Sequence, residues 1–215
     1  MIQAILFDLD GLMVDSEPHS IASWQAVLAK RNVQFDQAAL DSVLGQRVIE
    51  TAELAIRLFQ LPDRPDDLAR EKAEYQIAYL AGNVAAMPGL LELLDFVDQS
   101  GLKKAVASSG LRRYIDAVLT TTGVRDRFSV IVSADDVING KPAPDVFLAA
   151  AKKLNVAPEN CLVLEDAPAG VQAAKAAGMT CFAVPNAHSQ ALDLSLADRI
   201  LSSLHEVKTI LTSDE

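Results

Sequence analysis

Cysteine is scarce in this chain of 215 residues, which holds only Cys161 and Cys181, each in or beside an apolar run. Their spacing matches no zinc-binding motif. A free thiol in an apolar run behaves as a small hydrophobic side chain. Because free thiols are typical of reducing compartments, we expect a cytoplasmic protein.

Long apolar runs are absent as well. No uncharged stretch approaches the length needed to cross a membrane, and the N-terminal segment reaches Asp8 too early for a signal peptide. Half of the residues are hydrophobic and 22% are charged, which excludes disordered, collagen-like and low-complexity chains. We therefore expect a globular protein without a membrane partner.

Positive charge is in deficit, because 19 Lys and Arg residues face 29 Asp and Glu residues and the formal net charge is −10. Such a field repels polyanions, which argues against nucleic acid and acidic membranes as partners. A small anionic substrate would need local positive charge. The sequence shows no heptads and no oversized apolar stripe, so we expect a monomer or a weak dimer.

Strand and helix patterns alternate from about residue 90 onward. Short apolar runs predict strands at residues 2–7, 104–108, 129–132, 161–164 and 180–184. Helical periodicity lies between them at residues 90–99, 112–121, 145–154 and 170–177. This alternation predicts an α/β fold in which helices cover a parallel sheet.

Residues 16–86 break that alternation, since they show only helical periodicity. Glycine and proline residues divide the segment into about four helices. We therefore predict a small helical-bundle domain of residues 16–86, called the cap below. It would be inserted after the first strand of a core domain formed by residues 1–15 and 87–215.

Polar motifs follow the predicted strands beyond their carboxyl ends, where ligands bind in open parallel sheets. In chain order they are Asp8-Leu9-Asp10-Gly11, Ser108-Ser109-Gly110, Gly140-Lys141-Pro142 and Glu165-Asp166. The set contains no cysteine or histidine for acyl transfer, and no glycine-rich nucleotide loop accompanies it. Crowded carboxylates disfavour one another's ionisation unless a cation neutralises them, and a site of hard oxygen ligands that must also admit substrate suits Mg²⁺.

These residues suit phosphoryl transfer. A carboxylate can attack phosphorus and form an acyl phosphate, and Asp8 is the candidate nucleophile. Asp10 could protonate the leaving alkoxide and then accept a proton from the attacking water. Lys141 and Ser108, with the adjacent Ser109, would hold the phosphoryl oxygens.

The four motifs, in this order, resemble those of the haloacid dehalogenase superfamily. Longer stretches resemble its β-phosphoglucomutase-like subgroup, namely Phe7-Asp8-Leu9-Asp10-Gly11, Asp15-Ser16-Glu17-Pro18, Gly140-Lys141-Pro142-Ala143-Pro144-Asp145 and Glu165-Asp166-Ala167-Pro168-Ala169-Gly170. The resemblance implies a Rossmann-like core with a helical cap after the first strand. It also implies that Asp8, the backbone carbonyl of Asp10, and Asp166 hold Mg²⁺, with Glu165 close by as a further candidate ligand. Dehalogenases of the family lack an acid at the position of Asp10, which points to phosphoryl chemistry here.

Two features of the predicted cap bear on the substrate. The segment Gly45-Gln46-Arg47 lies between two predicted helices and resembles the substrate-reading loop of related caps. Arg47 either pairs with a phosphate or sugar hydroxyls, or is a solvated arginine at a helix start. His19 lies one residue before the place where relatives often carry a histidine, so we interpret it as a surface residue. Hinges for cap closure are expected near residues 14–16 and 85–88.

The sequence is compatible with three functions. The leading hypothesis is a Mg²⁺-dependent phosphatase that hydrolyses a small sugar or polyol phosphate through an aspartyl phosphate. A hexose phosphate mutase of the β-phosphoglucomutase type would share every core residue but return the phosphoryl group to a second hydroxyl. A phosphorylatable receiver-like binding module also combines an aspartate, acids, a hydroxyl and a lysine on a parallel sheet. The inserted helices and Asp10 argue against that module.

Overall fold

The structure, a computed structural model, describes residues 1–34, 48–80 and 84–213. Its strands are β1 (Ala4–Phe7), β2 (Lys103–Ala107), β3 (Val130–Val132), β4 (Cys161–Glu165), β5 (Thr180–Ala183) and β6 (Arg199–Ile200). Its α-helices are α1 (Glu17–Ala29), α2 (Val48–Phe59), α3 (Pro65–Leu80), α4 (Leu90–Ser100), α5 (Arg112–Thr121), α6 (Asp145–Leu154), α7 (Pro168–Ala176) and α8 (His205–Ser213).

All six strands form one parallel sheet in the order β3-β2-β1-β4-β5-β6. The chain builds outward from β1 to β3, then returns to place β4 on the other side of β1. In open α/β sheets this reversal of direction opens a crevice beyond the carboxyl ends of the two strands. The predicted α/β fold is confirmed, and the crevice lies where β1 and β4 end.

Helices cover both faces of the sheet, and the alternating side chains of β1 anchor the two layers. Strand geometry sends successive side chains to opposite faces. Ile5 and Phe7 belong to the core that α4, α5 and α8 close, and Ala4 and Leu6 belong to the core under α6 and α7. Because both faces are buried, β1 is apolar throughout instead of alternating with polar residues.

Helices α1, α2 and α3 lie between β1 and the rest of the sheet in the chain and have their own hydrophobic core. Trp24 packs there with Val27 and Leu28. The inserted helical bundle is thereby confirmed as part of the fold, while the domain boundaries at residues 15, 16, 86 and 87 stay a prediction. The Gly45-Gln46-Arg47 segment lies outside the described residues.

The two chain crossings between the sheet and the cap lie side by side. Val14 and Ala86 form an antiparallel bridge. The backbone N–H of Met87 donates to the carbonyl of Met13 at 2.8 Å. Both predicted hinge segments thus meet at one place.

The C-terminal strand β6 and helix α8 were not predicted. β6 has only two residues, both exposed, so no alternating pattern could indicate it. In α8, Val207 is fully buried against the sheet core, but the surrounding residues are mostly polar. No helix in the described part of the chain is long and apolar enough to cross a membrane.

Candidate active site

The structure brings the predicted strand-end residues together at one rim. Asp8 follows β1, Ser108 follows β2, and Glu165 ends β4 with Asp166 next to it. All four are buried. The Lys141 ammonium, from the loop after β3, donates to Asp8 Oδ1, to Glu165 Oε1 at 2.7 Å and to the carbonyl of Ala107 at 3.2 Å.

Three carboxylates crowd this rim. Oxygens of Asp8, Glu165 and Asp166 all lie within 4.8 Å of one another. Burial raises the pKa of Asp8 to about 8, against the opposing charge of Lys141, and the charges of Glu165 and Asp10 raise it further. Burial, followed by the charges of Glu165 and Asp8, also raises the pKa of Asp166. One ammonium does not neutralise three buried acids, so the donor set fits a divalent cation.

Glu165 already holds several donors. Its Oε2 accepts the backbone N–H groups of Asp166 at 2.8 Å and Ala167 at 3.0 Å, at the start of α7. Its Oε1 accepts Lys141. A Cβ at Gly170 would lie 1.7 Å from Oε1, so only glycine admits the carboxylate here. The sequence predicts Glu165 as a candidate metal ligand, and the structure shows that it accepts a hydrogen bond from Lys141.

Asn186 is a site residue that the sequence analysis missed. Its Nδ2 donates to Asp166 Oδ2 and to the carbonyl of Gly11, both at 2.9 Å. These bonds orient the carboxylate and tie it to the Asp8-Leu9-Asp10-Gly11 turn. The position of Asn186 in the sequence was the signal that could have found it. Asn186 follows β5 and therefore reaches the same rim as the four motifs.

The side chain of Asp10 is separate from the cluster formed by Asp8, Glu165 and Asp166. Its Oδ1 accepts the hydroxyls of Ser16, at 2.6 Å, and of Tyr114. Two hydroxyl groups from different parts of the chain thus hold the Asp10 carboxylate.

A cavity of about 210 Å³ lies between the rim and the cap. Asp8, Asp10, Ser108 and Ser109 line it from the core, and cap residues line it opposite them. The cap contributes Ser16, Glu17, Ser20, Ile21, Trp24, Val48, Thr51, Lys72, Ala73 and Gln76. Among the described residues His19 does not line the cavity, in keeping with its interpretation as a surface residue. Arg47 lies outside the described residues.

Lys72 is a buried cation on the cap side, and the sequence analysis missed it. Its ammonium donates to Ser20 Oγ at 3.1 Å and to Gln76 Oε1, and it lies 5.9 Å from the ring centre of Trp24. Burial lowers its pKa to about 8, although the charges of Asp10 and Glu17 oppose this. No sequence motif marks Lys72, because charged residues are frequent throughout α3.

Comparison with known proteins identifies the class. The sequence model of haloacid dehalogenase-like hydrolases matches residues 5–184. The chain is 35% identical over 208 residues to validoxylamine A 7'-phosphate phosphatase of Streptomyces hygroscopicus subsp. limoneus, covering 97% of each protein. It is 37% identical over 177 residues to fructose-1-phosphate phosphatase YqaB of Escherichia coli (strain K12), covering 81% of this chain and 92% of that protein.

A solved structure is also similar to this chain. The crystal structure of β-phosphoglucomutase from Clostridium difficile superposes with a TM-score of 0.85 at 28% identity, covering 100% of this chain and 96% of that one. The chain belongs to the haloacid dehalogenase-like hydrolase family. The predicted resemblance and the prediction of an enzyme are confirmed, and the receiver-like binding module is not supported.

Proposed function

We propose that this protein is a Mg²⁺-dependent phosphatase that hydrolyses a small sugar or polyol phosphate through an aspartyl phosphate on Asp8. The observation that carries the proposal is the arrangement at the rim. Asp8 lies against Lys141 and within 4.8 Å of Asp166, while Asp10 lines the same cavity. The candidate nucleophile, which contacts a lysine, and the candidate acid–base group thus line the same cavity.

Asp8 supplies the attacking oxygen. One carboxylate oxygen of Asp8 bonds to phosphorus as the bond between phosphorus and the substrate oxygen breaks. Asp10 gives its proton to that departing oxygen, which leaves as a neutral alcohol. Lys141 and Ser108 hold the phosphoryl oxygens by charge and hydrogen bonding through the transfer.

Asp10 also serves in the second step. It takes a proton from water as the water oxygen bonds to phosphorus, and the bond from phosphorus to Asp8 breaks to release phosphate. Asp8 and Asp166, with the backbone carbonyl of Asp10, would hold the Mg²⁺. The bound ion would neutralise the carboxylates and the charge on the phosphoryl oxygens.

The substrate class follows from the cavity and the relatives. About 210 Å³ is smaller than the usual pocket for a drug-sized ligand and suits a small metabolite. Lys141 and Lys72 provide local positive charge in an acidic protein. Two relatives are named phosphatases of fructose 1-phosphate and validoxylamine A 7'-phosphate, which supports a phosphorylated sugar or polyol here.

Assay of phosphate release tests the proposal. Wild-type protein would be given a panel of sugar and polyol phosphates and 4-nitrophenyl phosphate, with Mg²⁺ or with EDTA. We expect sustained turnover that EDTA abolishes and that Asp8→Asn reduces by at least about 10³-fold. Asp193→Asn, at an exposed carboxylate, is the matched control and should retain full activity. Turnover that persists in Asp8→Asn contradicts the mechanism.

A mutase is the second candidate, because the β-phosphoglucomutase of Clostridium difficile shares the fold over the whole chain. Incubation with β-glucose 1-phosphate and a trace of its bisphosphate separates the two activities. A phosphatase releases inorganic phosphate, whereas a mutase forms the isomer with the phosphoryl group retained. Isomer without free phosphate would refute the phosphatase.

A further inference from the structure

A tyrosine outside the sequence motifs contacts the proposed acid–base group. Tyr114 lies on α5, and only 4% of the residue is exposed. Its hydroxyl donates to Asp10 Oδ1 at 2.5 Å, across 104 positions of sequence. The contact therefore depends on the tertiary fold and not on the local turn that holds Asp10.

Both donors to Asp10 use the same oxygen. Ser16 Oγ donates to Oδ1 at 2.6 Å, as the Tyr114 hydroxyl does. Within the described residues, Asp10 Oδ2 accepts no hydrogen bond. A carboxyl group that is fixed through one oxygen can present the other to a substrate oxygen or to water.

The cap determines which way the tyrosine hydroxyl donates. Gln76 Nε2, on cap helix α3, donates to the Tyr114 oxygen at 3.1 Å. The orientation of this amide is set by Lys72, which can only donate and which bonds to Gln76 Oε1. Because the tyrosine oxygen accepts from Gln76, its own proton is directed to Asp10.

A second contact joins the cap helix to the core beside this chain of hydrogen bonds. Helix α3 is further attached to α5 by Arg113, which donates to Glu74 Oε1 at 3.2 Å and to the carbonyl of Arg70 at 2.7 Å. The cap and the core thus meet around this hydrogen-bond chain.

We infer that Tyr114 is a positioning residue that fixes Asp10 for proton transfer. Through Gln76, this arrangement also depends on the packing of cap helix α3 against α5. The inference rests on the proposed function, since Asp10 needs positioning only if it transfers a proton.

Leaving-group dependence tests this role. An alkoxide needs the proton from Asp10 to depart, whereas 4-nitrophenolate departs without it. The ratio kcat/KM reports only the steps up to that departure. For Tyr114→Phe we expect kcat/KM to fall about 30-fold, mainly through kcat, on the alkyl phosphate of the panel that wild type hydrolyses fastest. On 4-nitrophenyl phosphate the fall should stay below about threefold.

Tyr79→Phe is the matched control, because Tyr79 is an exposed tyrosine on α3 that does not line the cavity. It should match wild type on both substrates. An equal loss on both substrates in Tyr114→Phe, or no loss, overturns the inference. If wild type hydrolyses neither substrate, the proposed function itself fails, so the two failures are distinguishable.

A second variant keeps the test valid if Tyr114→Phe does not fold. Gln76→Met removes the cap donor but leaves the tyrosine in place. We expect it to lower the alkyl-to-aryl ratio of kcat/KM about threefold, a smaller effect because the Tyr114 hydroxyl still reaches Asp10. An unchanged ratio overturns the inference.

Discussion

Two buried lysines of the site, one from the core and one from the cap, have opposite surroundings. Lys141 lies between the carboxylates of Asp8 and Glu165. Lys72 bonds to a hydroxyl and an amide oxygen. No carboxylate of the described residues lies within ion-pair distance of Lys72.

This difference in surroundings means that the charge of Lys141 is paired with carboxylates, whereas the charge of Lys72 is not. Burial lowers the pKa of any lysine, but the charges of Asp8 and Glu165 outweigh burial and raise the pKa of Lys141. Burial prevails at Lys72, whose pKa falls to about 8. Under the proposed function, the core lysine would hold the phosphoryl group, and the cap lysine would keep its charge for the rest of the substrate.

Removing the core lysine should have the largest effect. Lys141→Met leaves Asp8 and Glu165 buried without their cation, so we expect the free energy of unfolding to fall by about 3 kcal/mol. Phosphatase kcat should fall at least about 10³-fold. Urea unfolding and phosphate release measure the two quantities, and Lys152→Met, at an exposed position on α6, is the control. A stable, active Lys141→Met protein would show that the core lysine is needed neither for stability nor for activity, and so does not differ from the cap lysine in this way.

Displacing Glu165 should have an intermediate effect. Gly170→Ala places a methyl group 1.7 Å from Glu165 Oε1, which must move the carboxylate and with it Lys141. We expect a loss of about 10²-fold in kcat, as for a misplacement of about 1 Å. The free energy of unfolding should fall by about 2 kcal/mol. Gln172→Ala, exposed on the same helix, should behave as wild type, and an active Gly170→Ala would show that Lys141 does not need Glu165.

The cap lysine should give the smallest effect, visible as a pH dependence of stability. The folded protein binds the Lys72 proton more weakly than the unfolded chain, because the pKa falls from 10.5 to about 8. Wild-type stability therefore gains from this group as the pH rises from 8 to 10.5, and Lys72→Met lacks that gain.

The measurement is a difference between proteins. We expect the stability of Lys72→Met relative to wild type to fall by about 2 kcal/mol between pH 7.5 and pH 9.5 in urea unfolding. Lys152→Met should show no such change. A pH-independent difference for Lys72→Met would mean that its ammonium is not desolvated.

The core half of the site could be predicted because parallel strands carry their carboxyl ends to one rim. Polar residues at or just beyond a strand end, such as Asp8, Ser108 and Glu165, must arrive there, and the loop after β3 brings Lys141 to the same rim. Asn186 follows β5 and arrives at the rim for the same reason. The fold was predictable for a similar reason, since buried strands and amphipathic helices have different periods.

The contact between the cap and the core could not be predicted in this way. Tyr114 belongs to the buried stripe of α5, together with Ile115, Val118 and Leu119. Its spacing in the sequence therefore indicated only that it packs in the core. Its contact with Gln76 spans 38 positions and depends on how α3 settles against α5. No local pattern encodes that docking, and short elements such as β6 leave no period at all.

The neighbouring crossings at Val14 and Ala86 have an evolutionary consequence. The chain leaves the sheet and re-enters it at one point, so the two ends of the inserted segment, or excursion, lie side by side whatever its length. Doubling such an excursion adds only about 0.6 kcal/mol of closure entropy. Lineages can therefore lengthen, shorten or exchange the helices above the rim without disturbing the strands that hold Asp8.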